Sequence, residues 1–195
     1  MTKIFFFLFF FFLSCNYKLG NEYFKSSSIN VPYIQGDKDG ILTKELVFEL
    51  AETGVFEYKN NSADFNLNIS ILNTFDEQIG YRFDRDNKGK RKKNIMATEG
   101  RKKIKAKISL FSKKEKKIIF GPKIIETDVD YDYVTQDSIN DLSFILPNGK
   151  RETVLQFSLG QLESISAAQK ATLLPLYKSL AKKIVKIILS EVNNS

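Results

Sequence analysis

The stretch from Lys88 to Lys117 holds the side chains best equipped for chemistry: fourteen Lys or Arg against two acids, Glu99 and Glu115. Clustered ammonium and guanidinium groups attract phosphates and other anions. The whole chain carries +7, so everything outside this stretch is net acidic. Nucleic acid fits this cluster poorly. Between Phe83 and Phe120 the only aromatic residue is Phe111, which leaves little for bases to stack on. An anionic lipid or an acidic partner fits better, because each basic side chain near a negatively charged surface contributes about 1 kcal/mol. The plainer alternative is a solvated loop and hairpin face, with Lys guarding strand edges against pairing.

Other chemistries fall away for want of residues. The 195-residue chain has no His, no Trp and one Cys. That removes Ser-His-Asp and Cys-His nucleophiles, His-containing zinc sites, CxxC redox pairs and internal disulfides. Asp128, Asp130 and Asp132 resemble the start of a calcium loop, but Tyr133 stands where glycine is needed and Ile139 where the closing Glu belongs. Strand alternation explains these acids better. No glycine-rich phosphate loop is present. A glycosidase would need only two carboxylates, yet no pair presents itself. The chain is expected to be neither an enzyme nor a cofactor binder.

The single cysteine has a position that suggests covalent lipid. Met1-Thr2-Lys3 is a short basic start, and Ile4 to Leu13 is an apolar run of ten residues, seven of them Phe. As a helix this run is about 15 Å long, half of a hydrocarbon core of about 30 Å, and too short to span it. Charge, apolar core and the small Ser14 form a secretory signal. Cys15 follows directly, as in bacterial lipoprotein signals, where the cysteine becomes the acylated (palmitate-type) first residue. Residues 1–14 are therefore expected to be a signal peptide, Cys15 the lipid attachment site, and 15–22 a tether. Two or more acyl chains hold a protein stably on a membrane.

A single α+β domain is expected over residues 23–195. Phe24 to Ile34 reads as a first strand, with Pro32 at its end or on an edge. Leu42, Leu46 and Leu50 predict an amphipathic helix of about 12 residues, capped by Asp39 and closed by Gly54. Phe65, Leu67, Ile69 and Ile71 alternate with polar residues, as a half-buried strand does. Ile79 to Phe83 reads as a further short strand. Lys88 to Gly100 has no apolar period and reads as a mobile loop. Ile104 to Leu110 alternates again, and a turn over Ser112–Lys117 leads to a return strand. Residues 135–152 read as polar, with a turn at Pro147-Asn148-Gly149. Ser166 with Gln169 fits a capping box. The stripe Leu173, Leu176, Leu180, Ile184 and Ile188 is helical, with Pro175 either kinking one helix or opening a second. The fold expected is a two-layer sandwich: two helices packed on a mixed, mostly antiparallel sheet of about four strands.

Cys15-Asn16-Tyr17, the Ile29-Asn30-Val31-Pro32-Tyr33-Ile34 strand, Leu42-Thr43 opening a helix, Gly54-Val55 closing it and the Phe65–Ile71 strand together resemble the lipopolysaccharide-assembly lipoprotein family, LptE. Asn16 stands where that family usually has Gly, and Gln35-Gly36-Asp37 where it often has Asn-Thr. The resemblance implies two helices on a mixed sheet and an outer-membrane lipoprotein. Such a lipoprotein plugs and supports a β-barrel of the LptD type that delivers lipopolysaccharide to the cell surface. It faces the periplasm or lies inside the barrel lumen. It also implies that basic residues contact lipid phosphates. By charge and rough position these are Lys90, Arg91, Lys92 and Lys93 in the loop, and Arg101, Lys102 and Lys103 at the strand start. The rival reading is a periplasm-facing lipoprotein that regulates a peptidoglycan synthase or serves a secretion apparatus.

Overall fold

The computed structural model describes residues 27–86, 88, 90–134, 143–153 and 164–192. Residues 1–14, Cys15 and the 15–22 tether lie outside them. The described residues build an α+β fold in which helices cover one face of a mixed five-stranded sheet. In sheet order the strands are β2 (Phe56–Tyr58), β1 (Ser27–Asn30), β3 (Phe65–Arg85), β4 (Arg91–Ser112) and β5 (Lys117–Asp132). β1 is parallel to both neighbours, while β3, β4 and β5 are antiparallel. A separate hairpin pairs β6 (Ser143–Ile145) with β7 (Arg151–Thr153) around the expected Pro147-Asn148-Gly149 turn.

Alternation sets the core. Leu67 and Ile69 on β3, Ile104, Ala106, Ile108 and Leu110 on β4, and Ile125 on β5 all point to the helix-covered face. Helix α1 (Ile41–Glu52) buries Leu42, Leu46 and Leu50 there. Helix α3 (Leu173–Val192) adds Leu176, Leu180, Ala181, Ile184 and Ile188. Thr127 Oγ1 and Ser179 Oγ share a hydrogen bond of 2.9 Å, and Lys183 Nζ donates to the Glu126 carbonyl at 2.6 Å, which pins α3 to β5.

Several local expectations are corrected. The sheet has five strands rather than about four, because the short β2 joins through β1. Asp39 does not cap α1. Gly40 takes a left-handed φ of 67° at that position, and Asp37 reaches in, accepting from Leu42 N (3.2 Å), Thr43 N (2.8 Å) and Thr43 Oγ1 (2.7 Å). The N-cap of the first C-terminal helix is Ser164, accepting from Ala167 N, so Ser166 lies inside α2 (Ile165–Ala171). The chain turns at Thr172 before α3, which places Pro175 in a first turn, where its missing N–H costs nothing. The described helices therefore number three.

The largest correction concerns Lys88 to Gly100. It is not a mobile loop, because β4 already begins at Arg91 and pairs with β3 from Arg85↔Arg91 onward. Ile79–Phe83 is part of the same β3. Arg101–Lys103 consequently lie mid-strand, not at a strand start. Past the end of β5 the β3–β4 ribbon carries few buried apolar side chains among the described residues, Met96 being the main one, so its ladder persists without a run of apolar alternation. At about 3.3 Å per residue, the 22 residues of β4 extend about 70 Å.

Candidate functional site

The basic stretch divides into two parts with different surroundings. On the sheet's outer face, β4 presents Arg101, Lys103 and Lys105 between two acid-bearing strands. Arg101 donates to Asp130 through Nε (2.6 Å) and Nη2 (2.9 Å), and its Nε lies 3.2 Å from Asp128. Lys103 meets Glu77 at 2.6 Å, and Lys105 meets Glu126 at 3.2 Å. Both ammonium groups lie 5.9 Å from the Phe75 ring centroid. The register explains the matching: Lys103 faces Asp128, and Arg101 faces Asp130, directly across the ladder. The hydrogen bond from Arg101 holds Asp130 below the usual carboxylate range and raises the guanidinium in turn. Cross-strand pairing thus accounts for Asp128 and Asp130.

Lys102 points the other way, to the inner face. Its Nζ donates to Asp76 Oδ2 at 2.7 Å, and Tyr131 Oη donates to Asp76 Oδ1 at 2.9 Å. Tyr131 reaches Asp76 because its partner across the ladder is Gly100, where any Cβ would collide with the phenol ring. Burial, with Asp76 nearby, pushes the Tyr131 phenol up.

The second part is the arm. From Tyr81 to Ala97 it carries seven basic residues against Asp84 and Asp86. Asp86 shapes its tip, accepting from Lys88 N (2.9 Å) and Lys90 N (2.8 Å). Arg91 stacks its guanidinium 3.5 Å from the Phe83 ring centroid. Lys92 pairs with the buried Asp84 at 3.1 Å. Lys90 and Lys93 are exposed and form no ion pair among the described residues. Of the seven basic residues expected to meet phosphate, Arg101, Lys102 and Lys103 are held by carboxylates of the same sheet. Lys90, Arg91 and Lys93 are not.

Beside the arm's base lies an open groove of about 720 Å³, lined by Gln78, Tyr81, Ile95, Met96, Tyr133 and Ile165 among others. Tyr81 and Ile95 are each 58% exposed, whereas Tyr133 is buried and its hydroxyl makes no hydrogen bond of good geometry. Burial, with Tyr81 adjacent, raises the Tyr133 phenol. The groove follows Lys93 directly along β4, at Asn94 and Ile95. Mixed walls, with Ile95, Met96 and Ile165 set among Asn94, Ser164 and Ser166, next to cations without carboxylate partners suit a ligand with an anionic head and an apolar body. The groove was not foreseen, because β3, β4, the segment after β5 and the start of α2 converge there only in the folded chain. Its one sequence signal is the Tyr131/Tyr133 alternation. Among the described residues no group of three or more His, Cys, Asp or Glu is placed to hold a metal ion, and no helix is long and apolar enough to cross a membrane.

No protein-family model matches the chain, and no curated protein matches it by sequence. Among solved structures it is similar to a candidate lipoprotein from Caulobacter crescentus (18% identity, 85% of this chain and 90% of that one, TM-score 0.47). A minor lipoprotein from Acinetobacter baumannii is also similar (15% identity, 88% and 95%, TM-score 0.44), as is the rare lipoprotein B of Shewanella oneidensis (13% identity, 86% and 97%, TM-score 0.42). At these identities and scores the likenesses assign neither family nor function to this chain.

Proposed function

We propose that this chain is a non-catalytic envelope lipoprotein, held by acyl chains on Cys15, that plugs and supports an LptD-type β-barrel delivering lipopolysaccharide to the cell surface. The observation that carries the reading is the arm: Lys90, Arg91 and Lys93 are free of carboxylate partners and stand beside a groove of mixed polar and apolar lining with the buried Tyr133 in its wall. Phosphates of a lipid head group would meet these cations, and the groove would take apolar parts of the same molecule. The resemblance of the N-terminal half to the LptE family supports the barrel as partner. Arg101, Lys102 and Lys103 serve in this reading as the arm's frame, since their charges are already matched.

A detergent pull-down of the full chain, read by mass spectrometry, tests the proposal. An outer-membrane barrel among the partners and an acylated N-terminal Cys15 are expected. Recovery of a peptidoglycan synthase without a barrel, or an unmodified Cys15 behind an intact leader, would overturn it.

A further inference from the structure

The turn between β4 and β5 is a second basic site, at the opposite end of the sheet from the arm. It carries Lys113, Lys114, Lys116 and Lys117 with one acid, Glu115. Glu115 pairs with Lys117 at 2.8 Å, whereas Lys113, Lys114 and Lys116 form no ion pair among the described residues. All five side chains are exposed. Ile118 follows at once, 54% exposed and across the ladder from Phe111, and Ile124, 62% exposed, lies higher on the same strand. Free cations beside exposed aliphatic side chains are the make-up of a surface that rests on anionic lipid.

The turn is also stitched to β1, the first described strand. Lys113 N donates to the Asp64 carbonyl at 2.9 Å. The Asp64 carboxylate accepts from Ser28 N (2.9 Å) and Ser28 Oγ (2.7 Å), and Asp64 N donates back to Ser28 Oγ (2.9 Å). Cys15 is twelve residues before Ser27, at most about 40 Å of extended chain. An acyl anchor on Cys15 would therefore hold this pole near the bilayer, with the arm tip about 70 Å away along β4.

We propose that the β4–β5 turn is a membrane-contact surface, in which Lys113, Lys114, Lys116 and Lys117 meet anionic phospholipid head groups and Ile118 enters the interface. The proposal rests on the envelope attachment read above, but on neither lipopolysaccharide nor a barrel. The chain has no tryptophan, so Ile118→Trp and Phe83→Trp, each in the full chain, place single fluorescent reporters at the two poles. In phosphatidylglycerol vesicles carrying brominated acyl chains, the reporter at 118 is expected to be quenched at least threefold more than the one at 83. Replacing the four lysines with Glu, or using phosphatidylcholine alone, is expected to abolish that difference. Ile124→Trp repeats the reading if the first variant folds poorly. Equal quenching at both poles, or quenching at 118 that ignores the charge reversal, overturns the proposal. No lipid A is present, so failure of the lipopolysaccharide reading leaves these outcomes unchanged.

Discussion

Lys90–Lys93 and Arg101–Lys103 look alike on paper, as short basic runs about ten residues apart at the start and middle of β4, yet they have opposite electrostatic fates. Arg101 and Lys103 lie in the three-stranded part of the sheet, where β3 and β5 bring Glu77, Asp128 and Asp130 alongside, and Lys102 is met by Asp76 beneath. Lys90–Lys93 lie where only β3 remains as neighbour and Asp84 is the one acid within ion-pair distance of them among the described residues. A run of positive charge in sequence becomes a binding surface only where the fold leaves it without carboxylates.

Variants can break this contrast, and their effects differ in size. Lys102→Met removes a buried ammonium stem and leaves the exposed Asp76 carboxylate with Tyr131. Water can solvate that carboxylate, so the expected cost is about 1 kcal/mol of stability, read as a lower urea midpoint at unchanged slope. Arg101→Gln removes a bidentate pair from a half-exposed position. Solvent screens that pair, so the midpoint should fall by clearly less than it does for Lys102→Met in the same measurement. Lys90→Gln with Lys93→Gln removes no ion pair and should leave the midpoint within about 0.5 kcal/mol of the parent. A large loss there would mean that the arm's cations are structural after all.

The smallest effect is in the pH dependence. Hydrogen bonding from Arg101 depresses the Asp130 pKa in the folded protein. Its stabilising contribution is therefore present above the unfolded carboxylate value, about 3.9, and is lost as pH falls through the depressed folded value. Asp130→Asn should be less stable than the parent at neutral pH and converge with it in acid. Parallel stability curves down to pH 2 would remove Asp130 from the ladder.

How much could be read beforehand followed the burial of each segment. Leu67, Ile69 and Ile104–Leu110 announce strands because one face is dry and the other wet, and Leu42, Leu46 and Leu50 announce a helix for the same reason. The arm announces little, because most of its side chains meet water, its buried positions include the polar Asp84 and Thr98, and backbone pairing alone needs no apolar rhythm. Asp37 does not read as a cap, because the left-handed Gly40 lets the chain fold back from farther upstream than a standard cap position. The acids that neutralise Arg101 and Lys103 were visible as an Asp128-Asp130-Asp132 alternation, but their partners depend on strand register, which composition does not specify. Tyr133 reads as a strand residue and becomes part of a groove only when α2 is placed beside it.

The most direct test is a titration of lipid A onto the reconstituted full chain at low and at physiological salt. The account predicts that reversing Lys90, Arg91, Lys92 and Lys93 to Glu lowers affinity at least tenfold at low salt, while Arg101→Gln with Lys103→Gln changes it less than twofold. Equal affinities for the parent and the arm variant, or a greater loss from the ladder variant, would contradict it.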